Sequence, residues 1–469
     1  MCCGGRLHDT VRAFTLRDKR KTPHKMRGFF LPDRYEETMM SKRNQDGLLR
    51  QENTFYPWIV WLLGASFFFY KYLVQVSPSV MTQDLMRTFG VNGVGLGNLS
   101  ACYFYAYLCM QIPVGVLLDK YSPRYLTAFA ILVCGLSTLI FAVSSTLTAG
   151  CFTRGLMGFG AAFAAVSCFK SASLWFPAKR FALISGMFMT AAMMGAVGGQ
   201  APLSFLVQGY GWRVSLKIVA CLGIALSILY VMIIRDKQLN EVVTHTSEAN
   251  RPNFWHILRH RQAWMLSIYS GLAFAPVSVF GGLWGVPFLQ QAHAFSAQGA
   301  AMAVSWIFIG FAVGAPLLGW WSDQMGRRKP IMMLGTLLAL LSLTIVIYSV
   351  HLPAVSVSAL LFLFGLGASG FFISFAMIRE TFPLLLTATV LGFMNTFDSI
   401  CEALSEPFVG VFLDMTWKGA ILNGVHQFST HGYRLALSLL PLYLIVAFVV
   451  LLLIQETYCK SYEDIDAKH

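Results

Sequence analysis

Charge is the scarcest commodity in this chain. Asp, Glu, Lys and Arg together make up 12% of its 469 residues, whereas 56% are hydrophobic. About a quarter of a soluble domain is charged, so a soluble globular fold is excluded and the lipid bilayer is the expected solvent. Other things are missing too. There is no G-x-x-x-x-G-K-[ST] loop to cradle a nucleotide, which argues against an ATP-driven pump. Neither a zinc-protease His-Glu motif nor a Ser nucleophile elbow is present, so an intramembrane enzyme has no support and no cofactor or metal is implied. Residues 1–55 contain no apolar run of signal-peptide type, leaving the first span as the targeting signal. The apolar runs elsewhere are too long and uniform for a porin-type barrel.

Ten cysteines are present, but their placement gives no extracellular framework. Cys102, Cys109, Cys134, Cys168, Cys221 and Cys401 fall within spans, and Cys2, Cys3 and Cys459 in the tails. Only Cys151 is expected near the outer face, so no outer disulfide pair is expected.

What the chain does have is apolar length. A helix needs roughly 20 apolar residues to cross a bilayer. Twelve runs qualify: about 57–80, 93–118, 125–144, 149–175, 182–207, 214–234, 263–290, 297–321, 329–349, 354–378, 386–412 and 434–454. The expected organisation is a disordered basic tail (1–55), a six-helix bundle (56–234), a polar linker (235–261), a second bundle (262–456) and a short tail (457–469). Met39 and Met40 offer a second candidate start. If the N-terminus is inside, the inner loops hold twelve Lys or Arg and the outer loops five, Arg87, Arg213, Lys217, Lys418 and Arg434. That bias sets both termini on the cytoplasmic side. It also accounts for the net charge of +13, which is topology rather than nucleic-acid binding. His426 and His431, alone in the loop 413–433, read as solvated side chains and not as a metal site.

One hairpin occurs twice. Gly115-Val-Leu-Leu-Asp119-Lys120-Tyr-Ser122-Pro123-Arg124 returns as Gly319-Trp-Trp-Ser-Asp323-Gln-Met-Gly326-Arg327-Arg328, offset by 204 residues. A polar hairpin repeated once per half points to an internally duplicated transporter. Gly115 and Gly319 are expected where backbones approach closely. Asp119 and Asp323 are expected to meet a neighbouring helix N-terminus, with Arg124, Arg327 and Arg328 able to pair with them, as a conformational latch.

These hairpins resemble the signature of the major facilitator superfamily between helices two and three and its repeat between eight and nine. Ser122 and Pro123 depart from the usual Gly and basic residue in the first copy. Arg154-Gly155-Leu-Met-Gly158 resembles the family's fourth-helix motif, whose Arg is often tied to coupling in proton-driven members. Trp175-Phe176-Pro177 and Gly211-Trp212-Arg213 resemble its loop signatures. The resemblance implies an all-α membrane protein of twelve helices in two pseudo-symmetric six-helix bundles, with substrate bound between them. A narrower resemblance rests on Phe69-Tyr70-Lys71-Tyr72, Gln75-Val-Ser77-Pro78-Ser79-Val80-Met81 and Cys168-Phe-Lys170. It is to the branch of the lysosomal dipeptide transporter and its bacterial relatives, in which an acidic residue is usual at the position of Lys71. Family antiporters often carry Gly-Pro ahead of a Gly-Gly pair in the fifth helix. Met194-Gly195 stands there instead, which weighs against drug-type antiport, and the glycines from Gly186 to Gly199 are expected to pack against the other half.

Ionisable side chains inside spans are costly and are functional candidates. Lys71, Arg154 and Lys170 are expected to bind a substrate carboxylate or phosphate. Asp398, Glu402 and Glu406 fall at i, i+4 and i+8 on one face of the eleventh span, and one of them is the candidate proton carrier. Alternatively, the two glutamates are structural partners of basic groups. Tyr70, Tyr103, Tyr107, Gln111 and Asn395 are candidate lining residues. The expected activity is secondary transport of a small carboxylate-bearing solute such as a short peptide or amino acid, by a monomer in the bilayer of a bacterial inner membrane, with a proton as candidate co-substrate. An exporter, a phosphorylated-solute exchanger and a non-transporting receptor are the alternatives.

Overall fold

The computed structural model describes residues 55–176, 180–235, 254–350, 352–382, 387–422 and 424–460. The expected basic tail up to residue 54, most of the linker, and residues 461–469 lie outside them. Helix α1 (Tyr56–Val76) runs into a 3-10 turn at Ser77–Val80, where Pro78 lacks the N–H an α-helix would use. Helix α2 (Thr82–Phe89) stops at left-handed Gly90. Then come α3 (Gly93–Lys120), α4 (Pro123–Val143), α5 (Leu147–Ala161), α6 (Phe163–Trp175), α7 (Phe181–Gly198) and α8 (Ala201–Ile233). Short α9 (Phe254–Arg259) leads the second half. Helix α10 (Arg261–Val279), a π-helical turn (Phe280–Trp284) and α11 (Gly285–His293) form one broken span. It is followed by α12 (Ala297–Met325), α13 (Lys329–Tyr348), α14 (Ala354–Ala368), α15 (Phe372–Thr381) and α16 (Thr387–Met415). A two-stranded hairpin, β1 (Ile421–Leu422) and β2 (Val425–His426), precedes α17 (Thr430–Leu437) and α18 (Leu439–Leu453).

By length and apolarity, nine helical stretches among the described residues can cross a membrane. One of them, Leu183–Ile233, is 51 residues long and holds two spans, because Gly211 breaks it at φ 77°. Helices α3 and α16 complete the twelve. They carry the tyrosine–glutamine row and the carboxylate row. The fold is all-α, with twelve transmembrane helices in two pseudo-symmetric six-helix bundles.

The duplication goes deeper than the hairpins. A Cβ on Gly158 of α5 would sit 2.0 Å from the Tyr103 carbonyl oxygen, and one on Gly365 of α14 would sit 1.9 Å from that of Ile307. In both halves the same two helices cross at backbone contact, which only glycine permits. Arg213 donates to the carbonyls of Ala142 and Ser144 at the end of α4. Arg434 does the same for Ile347 and Ser349 at the end of α13. Arg124 holds the Val231 carbonyl at 2.6 Å and Lys329 the Leu452 carbonyl at 2.8 Å. Each cation satisfies carbonyls that a helix end leaves without intrahelical partners.

The bundle has a terminal face, where α1 begins and α18 ends, and an opposite far face. At the far face α3 meets α16 closely: the Gly93 and Gly410 backbones touch, and Gly97 lies against the backbone of Glu406 and Pro407. The Asp414 carboxylate accepts the N–H groups of Gly93 at 2.9 Å and Val94 at 2.8 Å, capping α3 from the other half. Gln200 adds a second clasp, donating to the Gly281 carbonyl at 2.6 Å within the π turn and to Ser79 at 2.8 Å. Helix α7 packs along α12. Toward the terminal face the same four helices carry Gly115, Gly186, Gly319 and Gly392, and a Cβ at any of them would meet nothing within 4 Å. The close approach expected at Gly115 and Gly319 is therefore not made here. The other fifth-span glycines also differ from expectation: Gly195 and Gly199 press on the Phe69 and Leu73 carbonyls of α1, inside the same half. Removing the cross-half cap with Asp414→Ala should cost about 0.5–2 kcal/mol, read as a lowered thermal-unfolding midpoint in detergent.

Candidate functional site

Lys71 lies on α1 and is 5% exposed. Taking an ammonium out of water costs several kcal/mol unless other groups replace the water, and its surroundings do so. Its Nζ donates to Gln75 Oε1 at 2.6 Å. It stands 3.7 Å from the Tyr72 ring centroid and 5.0 Å from that of Tyr107, both within cation–π range. Across the boundary between the halves, Glu402 of α16 is close enough for its charge to act on Lys71, without forming a contact ion pair. Ser278 hydrogen-bonds Glu402, and Ser270 donates to Asp398 at 2.7 Å. Glu402 Oε1 is buried with no hydrogen-bond partner among the described residues. Tyr107 bonds Gln111, and Asp398 and Glu402 both act on it. The tyrosine–glutamine row and the first two acids thus face one another around Lys71. Asn395, one turn before Asp398, is half-buried.

Arg154, 1% exposed on α5, forms a second centre toward the far face. Its guanidinium donates to the carbonyls of Val74 at 3.1 Å and Gln75 at 3.4 Å, which α1 frees as it passes into the 3-10 turn. Tyr103 lies 5.1 Å beneath it and stacks on Tyr107 at 6.2 Å. Glu406 is the carboxylate whose charge acts on Arg154, and Ser100 bonds Glu406. Arg154 therefore holds the end of the helix that carries Lys71 and Gln75.

Two expected lining residues point elsewhere. Tyr70 packs its ring on Gly223 of α8 and directs its hydroxyl to Thr138 of α4, at 3.5 Å. One position along a helix turns a side chain by about 100°, so Lys71 and Tyr70 cannot share a face. Lys170 hydrogen-bonds the Leu118 carbonyl near the end of α3, toward the terminal face, and is not among the groups around Lys71. Gln75, four residues on from Lys71, could have been found from helical phase; Tyr72, the adjacent residue, could not. Ser270 and Ser278 gave no such signal.

The second hairpin is built as an ion-pair network. Arg328 bridges Asp323 and Glu380, the latter at 2.7 Å. Thr457 also bonds Glu380. The helix N-terminus expected to receive Asp323 is instead capped by Glu456, which takes the N–H groups of Arg328 and Lys329 at 2.9 Å each. Arg327 lies 5.9 Å from the Tyr458 ring. In the first hairpin Arg124 binds the Val231 carbonyl, and the Asp119 side chain lies outside the described residues.

Comparison with known proteins agrees with this architecture. The family model described as Major Facilitator Superfamily matches residues 60–286 and 266–461. The probable galactarate/D-glucarate transporter of Escherichia coli is 23% identical over 79% of this chain and 90% of its own. A probable hexose phosphate transport protein of Chlamydia pneumoniae is 21% identical over 59% of this chain and 68% of its own. Among solved structures, a bacterial homologue of the human lysosomal transporter Spinster superposes with TM-score 0.72 at 15% identity, covering 86% of this chain and 98% of its own. A twofold-repeated bundle of twelve spans, the paired hairpins and a family match along both halves lead to one conclusion: this chain belongs to the Major Facilitator Superfamily and is a membrane transporter, not an enzyme.

Proposed function

We propose that the protein carries a small hydroxylated carboxylate, of sugar-acid size, by alternating access with a proton as co-substrate. The observation that carries this reading is Lys71, a buried ammonium at the boundary between the two halves. Gln75 occupies one of its three donors, which leaves donors for a substrate carboxylate. Tyr107, Gln111 and Asn395 offer hydroxyl and amide groups to a polyol chain. Glu402, facing Lys71 with one oxygen unpartnered, is the proposed proton carrier. The galactarate/D-glucarate relative supports the same substrate class. Arg154 acts in this scheme as a positioning residue.

The second reading is a phosphorylated sugar, supported by the hexose phosphate relative. A phosphate dianion calls for two cations at one point. Arg154 is engaged by the Val74 and Gln75 carbonyls and Lys170 by that of Leu118, so the carboxylate is favoured. The excess of Lys and Arg supports a cytoplasmic terminal face, and the bacterial relatives support an inner membrane. On that orientation the far-face clasps close the path to the outside.

Proteoliposomes offered labelled galactarate, a dipeptide or glucose 6-phosphate, with and without an inward proton gradient, test the proposal. Galactarate should accumulate only with the gradient. Dipeptide accumulation alone would replace the sugar acid by a short peptide. Exchange of glucose 6-phosphate for inorganic phosphate would install the second reading.

A further inference from the structure

Cys102 on α3 and Cys151 on α5 were expected at different depths with no partner for either. Their thiols instead lie within reach of each other across the α3–α5 contact. The backbone explains it. Helices α3 and α5 run in the same direction in close contact, with Gly150 against Leu99, Gly155 against the Cys102 carbonyl and Gly158 against Tyr103. That register sets Cys151 level with Leu99, one turn before Cys102. Helical side chains lean toward the N-terminus, so Cys102 reaches up to Cys151. The rise of about 1.5 Å per residue puts Cys151 only about 7 Å below the far end of α5. Both thiols are reduced and neither is fully buried. The Arg154 charge acts on both sulfurs, beside the atoms that bear negative charge during thiol–disulfide exchange.

We propose that Cys102 and Cys151 are a reversible redox site, a dithiol that a small-molecule disulfide oxidises to a cross-link between α3 and α5. The Cys151 thiolate attacks the reagent's S–S bond, forming a mixed disulfide and expelling one thiolate. The Cys102 thiolate then attacks the Cys151 sulfur and expels the second. Two protein S–H groups become one S–S bond, and two electrons and two protons leave with two molecules of reduced thiol.

The test uses the full chain in proteoliposomes, treated with oxidised glutathione, blocked with N-ethylmaleimide, digested and read by mass spectrometry. A peptide pair joined through Cys102 and Cys151, released by dithiothreitol and absent from both Cys102→Ser and Cys151→Ser, is the expected result. Separate glutathione adducts on the two residues, or both recovered as maleimide adducts while other cysteines oxidise, would overturn the proposal.

Discussion

Lys71→Ala should weaken binding of the anionic substrate by about thirtyfold to several thousandfold, the equivalent of about 2–5 kcal/mol for losing one partner of a buried charge pair. Two effects contribute. The substrate loses its cation, and Glu402 loses the opposite charge that faces it. A double-mutant cycle separates them. If Lys71 serves only to neutralise Glu402, Lys71→Ala combined with Glu402→Gln should bind substrate as well as Glu402→Gln alone. If Lys71 holds the substrate, the double variant should stay as weak as Lys71→Ala. Equilibrium binding of labelled galactarate measures the cycle, with thermal unfolding run alongside to verify folding. Recovery of binding in the double variant would remove Lys71 from the substrate site.

The two centres have unlike chemistry although both pair a cation with a glutamate. The donors Nη1 and Nη2 of Arg154 go to main-chain carbonyls, and Tyr103 closes one side. Two of its five N–H groups are fixed to the main chain and Nε is buried with no partner among the described residues, so the group is tethered to the end of α1. Lys71 has one side-chain acceptor and otherwise aromatic faces, so a ligand oxygen can displace weak contacts rather than strong ones. This asymmetry makes the first centre the site of binding and the second a support near the far face. The support includes Glu406, the residue before Pro407, where α16 passes Gly97 of α3. Tyr107 and Glu402, which stand around Lys71, therefore lie on the same two helices that close at the far face.

The spans were legible from sequence almost to the residue. The run 329–349 became Lys329–Tyr348, and 93–118 became Gly93–Lys120. The bilayer enforces long apolar runs and admits few alternatives, so depth along the membrane normal can be read directly. Rotation and neighbour choice cannot. Tyr103, Tyr107 and Gln111 kept their common face because helical phase is local. Tyr70 and Lys170 stand apart from Lys71 because which helix a side chain meets is settled by backbone contacts such as Gly223 on Tyr70. Cys102 and Cys151 differ in depth by more than a turn along their own helices, yet the register of the α3–α5 crossing brings them together. Asp414 looked like the start of an outer loop, and only the packing of α16 on α3 makes it a cap.

Gly410→Val should shift the protein toward a conformation open at the far face. A Cβ at Gly410 would lie 2.3 Å from the Gly93 carbonyl oxygen and 2.8 Å from the Val94 nitrogen. These are main-chain atoms and cannot rotate aside, so α3 and α16 must separate. Separation draws Asp414 off the N–H groups of Gly93 and Val94, and the clasp goes with it. Overpacking of this kind costs about 1–3 kcal/mol, borne only by the state in which the helices touch. A cost confined to one state moves a two-state equilibrium about tenfold per 1.4 kcal/mol, so about five- to more than a hundredfold is expected. Spin labels at Arg87 and Lys418, on opposite halves of the far face, measure it: the longer distance should dominate in Gly410→Val. Gly115→Val is the control, since nothing lies within 4 Å of a Cβ there and the distance should not change. If Gly410→Val lowers the unfolding midpoint but leaves the distance distribution unaltered, the α3–α16 contact is structural packing and not the gate.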